Sequence, residues 1–274
     1  MILNIADNAA YCYSGGKPFD AALPMIVFIH GAQNDHSVWG LQSRWFAHHG
    51  YGVLAVDLPG HGRSAGSALT SVEAMADWLL ALLDAAGVAQ AILVGHSMGS
   101  LVALEASKHA PERVRALAML GTTYPMKVSD ALLATSRDDE GSAIDMVNIW
   151  SHSSIAHKPS SPGPGFSVLG GARRLMQRMS AINPDGLFHN DFAACNAYAD
   201  GEAAAQAVRC PTLFIFGSKD MMTPARSTKT LTGAIAHGKV VQVDAGHSLM
   251  SEQPDGVLDA LAAFAAGLKQ QEAA

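Results

Sequence analysis

A five-residue turn, Gly95-His96-Ser97-Met98-Gly99, constrains this chain more than any other segment. It matches G-x-S-x-G and follows the apolar run Ala91-Ile92-Leu93-Val94, with a helix-like stretch, Leu101 to Ala106, directly after it. Strand, sharp turn and helix form the context in which this pattern exposes a serine hydroxyl at the end of a sheet. Gly95 and Gly99 lack Cβ atoms, so strand and helix can approach closely around a serine held in strained backbone geometry. The start of the helix points backbone N–H groups toward developing negative charge. A serine hydroxyl is hardly ionised at neutral pH, so it needs a base, an orienting acid and a place for an oxyanion. The motif alone is short, and in a chain with 26 glycines a chance match is the competing explanation. The remaining sequence has to decide.

Short apolar runs recur along the chain: Met25–Ile29, Gly52–Val56, Ala91–Val94, Ala116–Leu120, Thr212–Phe216 and Val240–Val243. Each reads as a buried parallel strand. Amphipathic stretches alternate with them. Ser71 to Ala86 places Val72, Met75, Ala76, Leu79, Leu80 and Leu83 at helical spacing behind Ser71 as N-cap, and Pro254 opens a helix through Leu258, Leu261 and Phe264. This alternation predicts an α/β fold, a mostly parallel, doubly wound sheet with helices on both faces. It fails between about 122 and 207, where Pro125, the breaker-rich Ser160 to Gly165 and Asn183-Pro184-Asp185-Gly186 separate short helical patterns such as 173–182 and 191–198. The expected organisation is a core of residues 1–122 and 207–274 with a helical cap at 123–206, in which Ser160 to Gly165 is a loop or hinge.

Composition removes several classes. A chain of 274 residues, about half hydrophobic, suits one large α/β domain. A net charge of −6 without a concentrated Lys/Arg run argues against nucleic acid as partner. Arg173-Arg174 with Arg178 reads as a solvated helix face. No segment approaches a membrane span, and no basic leader precedes a long apolar run, so the expectation is a soluble, cytoplasmic protein. Cys12, Cys195 and Cys210 are far apart and include no C-x-x-C, which speaks against a zinc, redox or disulfide framework. The twelve histidines show no H-x-x-x-H or H-E-x-x-H spacing, so no metal and no cofactor are expected. Oligomeric state is not encoded in any pattern found.

In open parallel sheets, reactive groups gather beyond the carboxyl ends of the strands. The residues just after the predicted strands are His30-Gly31-Ala32, Gly95-His96-Ser97, Gly217-Ser218-Lys219-Asp220 and Asp244-Ala245-Gly246-His247. One face therefore presents a serine, an acid and a histidine, in the chain order Ser, Asp, His. Asp244, three residues before His247, competes with Asp220 for the acid, and Asp57 also ends a strand. Asp220 ranks first.

With these segments, and with Asp57-Leu58-Pro59-Gly60-His61-Gly62-Arg63-Ser64 and Gly246 to Pro254, the chain resembles the α/β-hydrolase fold, in its esterase, lipase and C–C hydrolase group. The resemblance spans about 24 to 265 apart from the cap. It implies Ser97 as nucleophile, His247 as general base, Asp220 as the acid that orients the imidazole, and the backbone N–H groups of Ala32 and Met98 as the oxyanion hole. In that family the Asp57 segment shapes a loop. His30 is expected to orient the oxyanion loop, His96 to be packed or hydrogen-bonded, and Glu252 to support the start of the terminal helix.

Serine at the elbow, where relatives that open epoxides or remove halide carry aspartate, makes alkyl-enzyme chemistry improbable. It fits acyl transfer through a covalent intermediate. The expected substrate is a small to medium carboxylic ester or lactone. The alternative is C–C hydrolysis of ring-fission-type diketones, disfavoured because Gly31-Ala32-Gln33-Asn34 lacks the Ser-Gly-Pro-Gly continuation associated with that group. A small-molecule receptor built on the hydrolase scaffold ranks third. Candidate substrate contacts are His36 and Trp39, at the pocket mouth or simply starting the next helix. From the cap come Trp150, Met176, Met179, Phe188, Phe192, Cys195 and Tyr198, which line a pocket or form helix core. His152, His157, His189 and Asn196 could add polarity.

Overall fold

The computed structural model describes residues 1–153 and 167–273. Its strands are β1 (Ile2–Ile5), β2 (Asn8–Tyr13), β3 (Met25–Ile29), β4 (Gly52–Val56), β5 (Ala91–His96), β6 (Val114–Leu120), β7 (Thr212–Gly217) and β8 (Lys239–Val243). They form one eight-stranded sheet in the order β1-β2-β4-β3-β5-β6-β7-β8. From β4 to β8 all neighbours are parallel. The mostly parallel sheet and all six strands expected from the apolar runs are present.

The antiparallel β1–β2 hairpin was not anticipated. A strand buried on both faces reads as a continuous apolar run, but this hairpin at the sheet edge is half exposed. Its turn uses Ala6 and Asp7, both at positive φ, the backbone that a tight two-residue hairpin requires.

The flanking helices are α1 (Gly40–His48), α2 (Val72–Ala85) and α3 (Met98–His109). Between β6 and β7 lie α4 (Asp130–Asp138), α5 (Glu140–Trp150), α6 (Val168–Ile182), α7 (Leu187–Ala197) and α8 (Gly201–Ala207). After β7 come α9 (Lys229–Ala234), α10 (Leu249–Glu252) and α11 (Pro254–Ala273). The Ser71 hydroxyl accepts the Ala74 N–H at 3.1 Å, the N-cap expected for α2. Alternation along the strands divides the core. Met25, Val27 and Ile29 of β3 pack with α2, α3 and α9 on one face. Ile26 and Phe28 pack with α1 and α11 on the other.

Residues 122–207 contribute helices and no strand among those described. Leu132, Ala143, Ile144, Val147, Met176, Phe188 and Phe192 form a separate apolar cluster that joins α4, α5, α6 and α7. Ala194, Cys195, Tyr198, Ala204 and Ala205 instead pack into the cluster on the α2 and α3 face of the sheet, so the end of α7 and α8 are rooted on α3. The stretch Ser160 to Gly165, expected to be a loop or hinge, lies outside the described residues.

Candidate active site

Ser97 sits between β5 and α3 at φ +52° and ψ −120°, backbone that an L-residue adopts only under constraint. The constraint is visible in the neighbours. A Cβ at Gly95 would lie 2.1 Å from the Gly99 carbonyl oxygen, and one at Gly99 would lie 2.4 Å from the Ile29 carbonyl oxygen. Only glycine permits this crossing of strand and helix. The Ser97 N–H donates to the Leu120 carbonyl at 2.9 Å, which ties the turn to β6.

The loop after β8 brings His247 beside the loop after β7. His247 Nδ1 lies 2.8 Å from Asp220 Oδ2. Asp220 also accepts the N–H groups of Met222 and Thr223, each at 2.8 Å, and the Thr223 hydroxyl at 2.7 Å. Burial opposes ionisation of Asp220, but the His247 ring and the Thr223 donors outweigh it. The carboxyl is held well below the usual carboxylate range. Asp244, the rival acid, is 63% exposed at its side chain and lies 2.7 Å from Lys219 Nζ. With Nδ1 engaged by Asp220, Nε2 is the His247 nitrogen left for proton transfer, and His247 and Ser97 line the same cavities.

Neighbouring residues fix this loop. His96 Nε2 donates to the His247 carbonyl at 2.9 Å. Burial, reinforced by His247, pushes the His96 ring down to about 3, so it is neutral and packed, as expected. Glu252, which ends α10 just before the terminal helix, also acts on this loop. Its carboxylate accepts the Gly246 N–H at 2.9 Å and the Ser153 hydroxyl at 2.5 Å, which binds the His247 loop to the end of α5.

The loop after β3 carries Ala32. His30 Nε2 accepts the Leu58 N–H at 3.1 Å, so Nδ1 carries the proton and donates to the Gly31 carbonyl at 2.8 Å. Burial and the nearby His61 push His30 down to about 4, which keeps it neutral in that tautomer. Gln33 follows at φ +56°, and its N–H donates to Asp191 Oδ2 at 2.8 Å. Asp191 also faces His61 Nε2 at 2.9 Å, while His61 Nδ1 lies 3.1 Å from the Pro59 carbonyl. Both ring nitrogens of His61 thus face acceptors, and only an imidazolium satisfies both. Burial disfavours that charge, but the Asp191 carboxylate outweighs it and raises the His61 pKa. A buried ion pair therefore joins α7 to the loop after β4, and the same carboxylate holds the loop that carries Ala32 through the Gln33 N–H. Sequence reading missed it, because its partners are 130 residues apart and show no motif. Met98, the first residue of α3, has an N–H without an intrahelical partner, as at every helix start.

Asp57 is fully buried and accepts the His36 N–H and Nδ1, each at 2.8 Å, and the Arg63 N–H at 2.9 Å. It organises its loop. Asp35, His36 and Asp57 bring potential metal-ligand atoms within 4.8 Å of one another. Ser37 and Arg178 already occupy Asp35, and His36 and Arg63 occupy Asp57, so this is a closed polar network.

Two cavities meet at Ser97. The smaller, about 60 Å³, includes Asn34, His96, Asn148, Ser151 and His152 in its wall. The larger, about 340 Å³, is walled by Met126, Leu132, Trp150, Phe192, Met221 and Met222, with Cys195 and Lys127 also present. Of the expected contacts, Trp150, Phe192 and Cys195 line the larger cavity, and Met176 and Phe192 the smaller. Three expectations are corrected. His36 turns away to Asp57 and packs between Tyr11 and Tyr13. Trp39 is fully buried against Phe28 beneath the sheet. Phe188 is fully buried, stacked behind Phe192 at 4.7 Å. Met179 and Tyr198 are core residues as well. His152 reaches the smaller cavity, whereas His189 bonds Ser136 and Asn196 caps the Val128 N–H; His157 lies outside the described residues. Asn148 and Ser151 join His152 at the smaller cavity as an i, i+3, i+4 polar set near the end of α5, a spacing the sequence reading did not use.

Residues 26–260 match the model of the alpha/beta hydrolase family. The chain belongs to that family and is a hydrolase. It is 25% identical over 249 residues to (E)-2-((N-methylformamido)methylene)succinate hydrolase of Acinetobacter baylyi, covering 87% of this chain and 89% of that one. Its fold is shared with the enol-lactonase from Burkholderia xenovorans LB400 (TM-score 0.83, 21% identity, 97% of this chain and 100% of that one). It is also shared with a thermophilic esterase from Thermogutta terrifontis (TM-score 0.81, 21% identity, 98% of each chain). No helix among the described residues is long and apolar enough to cross a membrane.

Proposed function

We propose that this hydrolase cleaves carboxylic esters or lactones of small to medium size through Ser97, His247 and Asp220. The observation that carries the reading is the meeting of a serine on a strained elbow and a buried Asp–His pair at one cavity. Ser97 Oγ attacks the substrate carbonyl carbon as His247 Nε2 takes its proton. Asp220 holds the ring through Nδ1 and stabilises the imidazolium. The backbone N–H groups of Ala32 and Met98 receive the negative oxygen of the tetrahedral intermediate. Collapse expels the alkoxide, protonated by His247, and leaves an acyl group on Ser97. Water, activated by the same histidine, releases the acid. In a lactone both products remain one molecule. Residues 123–206 act as a helical cap that supplies the outer cavity walls. The activities of the structural neighbours, an enol-lactonase and an esterase, lie in the same reaction class and support the choice of bond.

A panel of p-nitrophenyl esters of increasing chain length, with lactones and vinylogous diketones alongside, tests the reading. Ester or lactone turnover is expected to exceed diketone cleavage. The reverse order would replace this assignment with C–C hydrolysis.

A further inference from the structure

The smaller cavity contains polar groups that the protein does not satisfy. Asn148 is 3% exposed, in the last turns of α5, and its Oδ1 is buried without a hydrogen-bond partner. Its helix neighbours Ala143, Ile144 and Val147 belong to an apolar cluster, where an aliphatic side chain would pack without that penalty. The backbone gains nothing from the amide either, since His152 Nδ1 already serves the Asn148 carbonyl at 2.7 Å. Also in the wall, His96 Nε2 donates a hydrogen bond to the His247 carbonyl oxygen, which leaves Nδ1 as a second buried acceptor without a partner. Both residues border the space beside Ser97.

We propose that Asn148 and His96 form a polar subsite for a neutral hydroxyl or carboxamide on the substrate, whose apolar part occupies the larger cavity on the other side of Ser97. The proposal rests on the serine-hydrolase reading and specifies its substrate. Two unpartnered acceptors call for a donor, and the Asn148 amide N–H₂ can return a bond to an oxygen. A primary carboxamide supplies two N–H donors and an oxygen; a hydroxyl supplies one donor, enough for one of the two acceptors, and an oxygen. A carboxylate does not fit, because no Lys, Arg, Asp or Glu lines the smaller cavity among the described residues, and an ion there would lose water without a counter-charge. The volume of about 60 Å³ admits a group of a few non-hydrogen atoms. The larger cavity, with Met126, Leu132, Trp150, Phe192, Met221 and Met222, takes an acyl chain or ring.

The experiment compares hexanoate esters that differ only at the end of the alcohol: 2-hydroxyethyl, propyl, carbamoylmethyl and carboxymethyl. Hexyl 3-hydroxypropanoate against hexyl butanoate covers the opposite seating. Rates are normalised to the fraction of Ser97 labelled by a fluorophosphonate. For the wild type, kcat/KM should favour the hydroxyl or carbamoyl ester over its methyl isostere by about tenfold or more in one of the two sets, with the carboxylate poorest. Asn148→Leu should reduce that preference to within about twofold, and Asn148→Ser should restore part of it. No preference in either wild-type set overturns the subsite. A preference that survives Asn148→Leu overturns it too, and means that the amide only holds a resident water. Should Asn148→Leu fail to fold, the wild-type ratios and the Asn148→Ser variant still decide. If a fluorophosphonate leaves folded wild type unlabelled, the serine-hydrolase reading has failed instead, and the two failures are thereby distinguished.

Discussion

The two halves of the site cavity are built by different physics. The strand-end half, with Ser97, Asp220 and His247, is held by backbone geometry: glycines without room for a Cβ, parallel pairing and a carboxylate saturated with donors. The helical half, from α4 to α7, is held by side chains, namely one apolar cluster and a few polar ties such as Asp191 to His61 and Gln33. Backbone-held positions tolerate little change and keep their signature in short motifs. Side-chain-held positions can be exchanged in compensating groups, so they leave little trace in a sequence. Under the proposed function, the difference separates chemistry from choice of substrate.

Variants can break that comparison. The largest effect is expected at the strand-end half. Ser97→Ala should lower kcat by on the order of a millionfold while circular dichroism and thermal melting stay unchanged. Asp220→Asn should cost about ten-thousandfold, because the carboxylate that fixes the ring tautomer is gone. Asp244→Asn, at the exposed neighbour, should stay within about threefold in the same assay, as surface substitutions do. Equal losses at the two acids would erase the distinction drawn between them.

At the seam between the halves, Asp191→Asn leaves a buried imidazolium without its counter-ion. Stability should fall by about 3 kcal/mol in urea unfolding, with kcat reduced through a displaced Ala32. The pair also has a pH signature. The folded state raises the His61 pKa, so its contribution is complete below the ordinary histidine pKa and is lost as pH rises through the folded value. Wild-type melting temperature should therefore decline on the alkaline side, and His61→Gln should flatten that decline. A profile identical in both proteins would show that the pair does not tie the halves together. The smallest effect belongs to the helical half alone. Trp150→Ala should raise KM several-fold for long acyl chains and leave short ones nearly unchanged, in steady-state assays across chain length.

The same division explains what could be read from the sequence. Met25–Ile29 and Ala91–Val94 announce buried strands because both faces are apolar, and Gly95 to Gly99 announces the elbow because no other residue fits there. The β1–β2 hairpin gave no such run, since half of it faces solvent. Trp39 and Phe188 are possible cavity walls by residue type alone, because aromatic type says nothing about which side of a helix meets the pocket. Both are enclosed in packing instead. His36 was placed near the cavity by its position after β3, but Asp57, from a distant loop, claims its ring. Asn148 and Asp191 sit on helices with no motif around them. Their meaning comes entirely from partners, or the lack of one, that appear only when the chain is folded.

The central claim is that the strand-end half contains one activated nucleophile. Incubation of the folded protein with a fluorophosphonate, followed by peptide mass spectrometry, measures this directly. The account predicts a single adduct, on Ser97, that is lost in His247→Ala. An adduct on another serine, or undiminished labelling in His247→Ala, would contradict it.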